Sequence, residues 1–242
     1  MYTRYFSPGQ KILLRFLRTD QQPHRIEAVS TRLISFDGGC FQLALLQPWQ
    51  AGEAPFASQT SLELVSERHG MGLKSTAIFK GLTDGKLIHL HANNDLTLFR
   101  PRPQPRVDTH IGLRHFSTKT GFSYFYKKWL QAVDKLSNSS LALNEPILPM
   151  GPVNLSSTGI RMVLSAPVAK HDLVLMMLEL HPDEIPICTI GEVIWSVPKT
   201  SHHLFAGLRF LNILQNDQTR IDRFIKSLSM PDNKSAVARA VQ

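Results

Sequence analysis

The sequence predicts a mainly β protein: two small antiparallel β-barrels in tandem, the second carrying an inserted amphipathic helix and a C-terminal helix. Three observations predict it. Short runs with alternating apolar residues recur along the chain, separated by glycine- and proline-containing turns. One proline-rich segment interrupts that pattern near the middle. Two stretches in the second half switch to a spacing of three and four, which is a helical period.

In the first half, Lys11–Phe16, Ile26–Ile34, Cys40–Leu46, Ser61–Val65, Ser75–Lys80 and Lys86–His91 are expected strands. Pro8-Gly9, Asp37-Gly38-Gly39, Gln50–Pro55 and Thr83-Asp84-Gly85 punctuate them with turn chemistry. Phe99–Arg106, FRPRPQPR, carries prolines at alternate positions. Such a segment can continue neither a sheet nor a helix, because proline lacks the amide donor and fixes φ. It reads as a stiff extended linker. The expected division is therefore 1–98 for the first barrel, 99–106 for the linker, 107–230 for the second barrel and 231–242 for a flexible tail.

After the linker, Val107–Phe116 alternates as a strand. In Phe122–Leu136, the residues Phe122, Phe125, Tyr126, Trp129, Val133 and Leu136 form one apolar face, with Lys127, Lys128, Gln131, Asp134 and Lys135 opposite. This aromatic stripe should dock on a barrel or on a second copy of the chain. The β pattern resumes in Val153–Leu164, Leu173–Leu180, Ile187–Ser196 and Leu204–Leu211. A last helix is expected from an Asn216 N-cap, with Ile221, Phe224, Ile225 and Leu228 on one face and Pro231 ending it.

Composition narrows the function. The 242 residues are 43% hydrophobic and 19% charged, ordinary for a globular chain. The N-terminus lacks a signal-peptide pattern, and no run of about 18 apolar residues occurs, so a cytoplasmic protein without a transmembrane segment is expected. Cys40 and Cys188 sit in apolar stretches and read as small buried hydrophobes in a reducing compartment. His89-x-His91 and His202-His203 lack the converging ligands a metal site needs. No nucleophile elbow, phosphate loop, dinucleotide fingerprint or zinc-protease motif occurs, so no catalytic residue is assigned. A formal charge of +8 favours anionic partners. Basic residues interleaved with stacking aromatics are not evident, so nucleic acid is not an expected partner.

Two features carry a binding chemistry. Arg102 and Arg106 stand four apart on the stiff linker, with Arg100 close by. A guanidinium offers a planar fork of donors that fits phosphate oxygens or the O6/N7 edge of guanine, and its face stacks on a base. Asn154 and Ser156 are two apart in a strand-turn-strand signal, which puts both on one face of the strand. Gly159 then allows either a positive-φ turn or a close backbone approach.

Together, R-x-x-x-R and [D/N]-x-S-x-x-G resemble the signature of PilZ domains, bacterial receptors for cyclic di-GMP. Ile190-Gly-Glu-Val-Ile-Trp195 is similar to the family's G-x-V-x-W strand, and Ala206-Gly-Leu-Arg-Phe210 to its G-x-x-F strand. The first half resembles the barrel that precedes PilZ in flagellar-brake-type proteins. The resemblance spans nearly the whole chain and is more specific over 99–228 than over 1–98. It departs from the pattern in two places: Pro101 stands where many relatives carry a further arginine, and the 122–136 helix lengthens the gap between Arg106 and Asn154.

This resemblance implies a non-enzymatic regulatory protein, acting in motility or biofilm control, whose ligand is cyclic di-GMP and which needs no cofactor or metal. Arg102 and Arg106 would bind phosphate and guanine. Asn154 and Ser156 would hold the other guanine edge or the backbone, and Gly159 would shape the turn. Arg100, Arg161 and Arg209 are secondary candidates from proximity and charge. Ligand binding would reorient the two barrels and signal to an effector protein. The alternative is a ligand-independent interaction module acting through the 122–136 helix.

Overall fold

The computed structural model describes residues 2–18, 23–47, 49, 56–68, 70–100, 105–138, 148–165, 167–201 and 203–229. The chain divides into two compact units. One comprises Met1–Gln21, Ile26–Pro103 and Thr120–Tyr124; the other comprises Gln22–Arg25, Gln104–Lys119 and Phe125–Gln242.

In the first unit, a 3-10 turn at Tyr2–Arg4 precedes β1 (Lys11–Arg18), β2 (Arg25–Asp37), β3 (Cys40–Leu45), β4 (Ser61–Arg68), β5 (Met71–Thr83), β6 (Leu87–Ala92) and β7 (Thr97–Phe99). The strands follow the order β1-β4-β5-β6-β3-β2, and a β1–β2 pairing closes the ring into a barrel. Two tight turns owe their shape to sequence. Gly38 and Gly39 take φ of 52° and 84° between β2 and β3, and Asp84-Gly85 takes 53° and 64° between β5 and β6. Positive φ at both central residues suits the twist of a hairpin. Alternation then places Phe41, Leu43 and Leu45 of β3 and Ile88, Leu90 and Ala92 of β6 in the core.

The second unit contains β8 (Val107–Ser117), α1 (Phe122–Asn138, whose first three residues belong to the first unit), β9 (Met150–Ser156), β10 (Gly159–Leu164), β11 (Leu173–Glu179), β12 (Ile187–Pro198), β13 (Leu204–Leu214) and α2 (Gln215–Ser229). Its strands run β13-β10-β9-β8-β11-β12, closed by β12–β13. Leu155, Ile160, Met162, Leu178, Ile190 and Leu208 fill the inside. On α1, Phe122, Phe125, Trp129 and Val133 are buried, and the Trp129 Nε1–H donates to the Cys188 carbonyl at 3.0 Å. The stripe is therefore barrel-docking core.

The structure corrects three expectations. Phe99 ends β7, paired with Gly72, instead of opening the linker; a β-carbon on Gly72 would stand 2.6 Å from the Phe99 ring. Cys40 is exposed while Cys188 is buried, because Cys40 takes the outward alternate of β3 and Phe41 the inward one. Helix α2 begins at Gln215, so Asn216 lies within its first turn and does not cap it. The strand-turn-strand signal within Val153–Leu164 is met by β9 and β10, joined by a Ser157-Thr158 turn. The 231–242 segment lies outside the described residues.

Candidate functional site

The register of five adjacent strands assembles the candidate residues. Asp108 of β8 pairs with Asn154 of β9, Asn154 with Arg161 of β10, Arg161 with Gly207 of β13, and Gly207 with Trp195 of β12. Because residues in register share a face, this row lies on the outer surface of the barrel. Its inward neighbours, Leu155 and Ile160, are 0% and 1% exposed. Two residues along lies a second row: Ser156 pairs with Gly159, and Gly159 with Arg209. Arg106 immediately precedes β8, one step past the Val107–Leu155 pair and so level with Ser156.

The first row is tied together by a carboxylate. Asn154 Nδ2 donates to Asp108 Oδ1 at 3.0 Å, and Arg161 Nη2 donates to the same oxygen at 3.0 Å. Trp195 is 41% exposed, and its indole lies over Gly207. In the second row Arg106 is exposed and Arg209 half-buried. Neither makes an ion pair or side-chain hydrogen bond among the described residues, which leaves two guanidinium forks available to an anion.

Ser156 is buried, and its hydroxyl donates to the Gly159 carbonyl at 3.0 Å. Gln218 of α2 donates to the Ser157 carbonyl at 3.0 Å, pinning the same turn from the helix side. Gly159 serves close approach: its φ is not positive, and a β-carbon there would stand 2.3 Å from the Leu208 carbonyl oxygen. The Ser156–Gly159 part of the motif is thus a rigid hairpin, and Asn154 is its outward-facing polar group. Arg100 is exposed just after β7. Arg102 lies outside the described residues.

The residues matching the two strand motifs have geometric reasons. Gly207 leaves room for the Trp195 indole, and a β-carbon on Gly191 would stand 2.5 Å from Met176 Cε. Glu192, within the same strand, is 1% exposed and held by His171 Nδ1 at 2.6 Å.

Residues 140–227 match the sequence profile of the PilZ domain. This stretch is a PilZ domain. The match takes in Asn154–Gly159 and both strand motifs and begins downstream of the arginine segment, β8 and α1. No curated protein matches the chain. Among solved structures, the chain is similar to the Bacillus subtilis inhibitor of motility, MotI/DgrA, at 13% identity and TM-score 0.36, covering 93% of this chain and 100% of that one. It is also similar to MrkH of K. pneumonia in complex with c-di-GMP, at 13% identity and TM-score 0.32, covering 94% and 90%. A tetrameric PilZ domain from Xanthomonas campestris covers 52% of this chain and 87% of its own, at 16% identity and TM-score 0.37.

Sequence reading missed Asp108, whose part depends on which strand neighbours β9. Trp195 was legible as a motif residue, whereas its place beside Arg161 follows only from the β10–β13–β12 register. Among the described residues no group of three His, Cys, Asp or Glu side chains could hold a metal ion, and no helix is long and apolar enough to cross a membrane.

Proposed function

We propose that the protein is a cyclic di-GMP-responsive regulator, with the ligand bound on the outer face of the PilZ barrel between the arginine segment and the β9–β10 hairpin. One observation carries this reading. Asn154, Arg161 and Trp195 in one row, with Arg106 and Arg209 alongside the next, join cationic forks, an amide and an exposed indole on one face. These suit the chemistry of the ligand: two phosphodiesters for the arginines, and two guanines offering hydrogen-bonding edges and flat faces. The PilZ profile match supports it, since PilZ domains are cyclic di-GMP receptors.

Arg102 and Arg106 are assigned the phosphate and guanine contacts, Asn154 a base edge, and Arg209 and Arg161 supporting contacts. Ser156 and Gly159 hold the hairpin that presents Asn154. Trp195 joins these residues as a stacking surface for a base. The segment between β7 and β8 connects the first-unit barrel to the PilZ barrel, so a ligand gripping it links occupancy to interdomain geometry, and thereby to an effector protein. A domain boundary in the segment between β7 and β8, cytoplasmic residence and a flagellar-brake-type role for the first barrel belong to the same proposal, and no catalytic step is assigned.

Substitution tests it. Arg102→Ala and Arg106→Ala should each remove most of the affinity for cyclic di-GMP while leaving the melting temperature unchanged. A double variant binding as tightly as the parent would overturn the proposal.

A further inference from the structure

The contact of Asp108 with Asn154 and Arg161 has a chemical consequence for base selection, which rests on the receptor reading above. Both donors converge on a single oxygen, Oδ1. The two bonds, from different strands, fix the orientation of the carboxylate. The Asp108 side chain stays 76% exposed. Among the described residues its second oxygen, Oδ2, accepts no hydrogen bond. The carboxylate thus presents an oriented acceptor and no donor, in the same row as Trp195.

Guanine and adenine differ at the edge such an acceptor would meet. Guanine presents N1–H and the N2 amino group, both donors; adenine presents N1 as an acceptor and no amino group at C2. A site supplying only an acceptor there favours guanine and leaves lone pair against lone pair with adenine.

We propose that Asp108 is a specificity-determining residue that selects guanine over adenine in a cyclic dinucleotide, by accepting a hydrogen bond from the guanine N1/N2 edge through Oδ2. Arg161 and Asn154 are positioning residues for this carboxylate. The role falls to Asp108 because Asn154, on the neighbouring strand, supplies an amide and no carboxylate.

Asp108→Asn is the informative substitution. It keeps the shape and an Oδ1 acceptor for Asn154 and Arg161, while Oδ2 becomes an amide donor. Dissociation constants for cyclic di-GMP and cyclic di-AMP would be measured on the full chain and the variant at one salt concentration, with melting temperatures confirming the fold. The ratio favouring guanine should fall by about tenfold or more, through weaker guanine binding and stronger adenine binding. An unchanged ratio would overturn the role of Asp108 and leave the receptor reading standing. Equal strengthening for both ligands would also overturn it, since Asp108 would then only compete with phosphate. Binding of neither ligand by the unaltered protein would overturn both.

Discussion

The indole of Trp195 occupies the space that a side chain on Gly207 would need: a β-carbon on Gly207 would stand 2.3 Å from Nε1 and 2.4 Å from Cε2 of the ring. Gly207 therefore determines where an exposed aromatic surface rests beside Arg161. Gly207→Ala should push the ring outward, and because Trp195 is 41% exposed it has somewhere to go. A loss of about 1 kcal/mol in stability is expected, with cyclic di-GMP affinity falling further than the fold does. Denaturant unfolding and ligand titration of the same variant check both parts.

The same substitution at Gly159 meets a different obstacle. There the β-carbon would strike the Leu208 carbonyl at 2.3 Å, within the β10–β13 ladder. Backbone cannot swing aside as an exposed ring can. Gly159→Ala should therefore cost about 3 kcal/mol or more, at the upper end of overpacking, and clearly more than Gly207→Ala in parallel unfolding curves.

Trp129 separates core from interaction surface on α1. It is fully buried and bonded to the Cys188 carbonyl. Trp129→Ala should lower stability by about 3–5 kcal/mol. Trp129→Phe keeps much of the packing and loses the hydrogen bond, at a cost of about 1–3 kcal/mol for the stranded carbonyl. Chemical denaturation of the pair checks this ordering, and shows that Trp129→Ala reports on folding before it reports on any partner.

The two cysteines should differ in reactivity. Burial, aided by the Asp217 charge, pushes the Cys188 thiol up to about 12, so the thiolate is scarcely populated at neutral pH. Cys40 is exposed on β3, with its Sγ 3.7 Å from His91 Nδ1. A thiol reagent should label one site promptly and the second only on unfolding, and mass mapping should find Cys40 labelled first.

Asp217 gives stability a pH dependence of known sign. Burial raises its carboxyl above the ordinary value, with the Glu184 charge adding to this, while Arg220 pulls in the opposite direction through its bond at 2.8 Å. The folded chain then holds this proton at a pH where the unfolded chain has released it. The group's contribution to stability accordingly falls as pH rises from about 3.9 through its folded value. Asp217→Asn removes that dependence. Whatever the constant cost of altering the Arg220 contact, the difference of variant minus parent should climb between acidic and neutral pH in thermal melts.

Much of this architecture was legible because it is local. Alternation reveals strands, Gly38-Gly39 and Asp84-Gly85 mark hairpins, and the three-to-four spacing of Phe122, Phe125, Trp129 and Val133 marks a helix with one buried face. What escaped depends on register or on neighbours distant in sequence. Asp108 is one polar residue in an alternating strand until β9 is placed beside it. Ser156 looked like a second outward donor, but the turn to Gly159 folds its hydroxyl back into the hairpin. Strand β7 was hidden because Thr97–Phe99 is too short to show a period, and it pairs with β5 only because Gly72 makes room for the Phe99 ring.

Calorimetric titration of the full chain with cyclic di-GMP, with GTP and cyclic GMP as controls, tests the central claim most directly. Saturable binding at micromolar concentration or tighter, confined to the cyclic dinucleotide, is the predicted result. No heat of binding and no displacement across that range would contradict it, and would leave the protein a PilZ-fold interaction module independent of ligand.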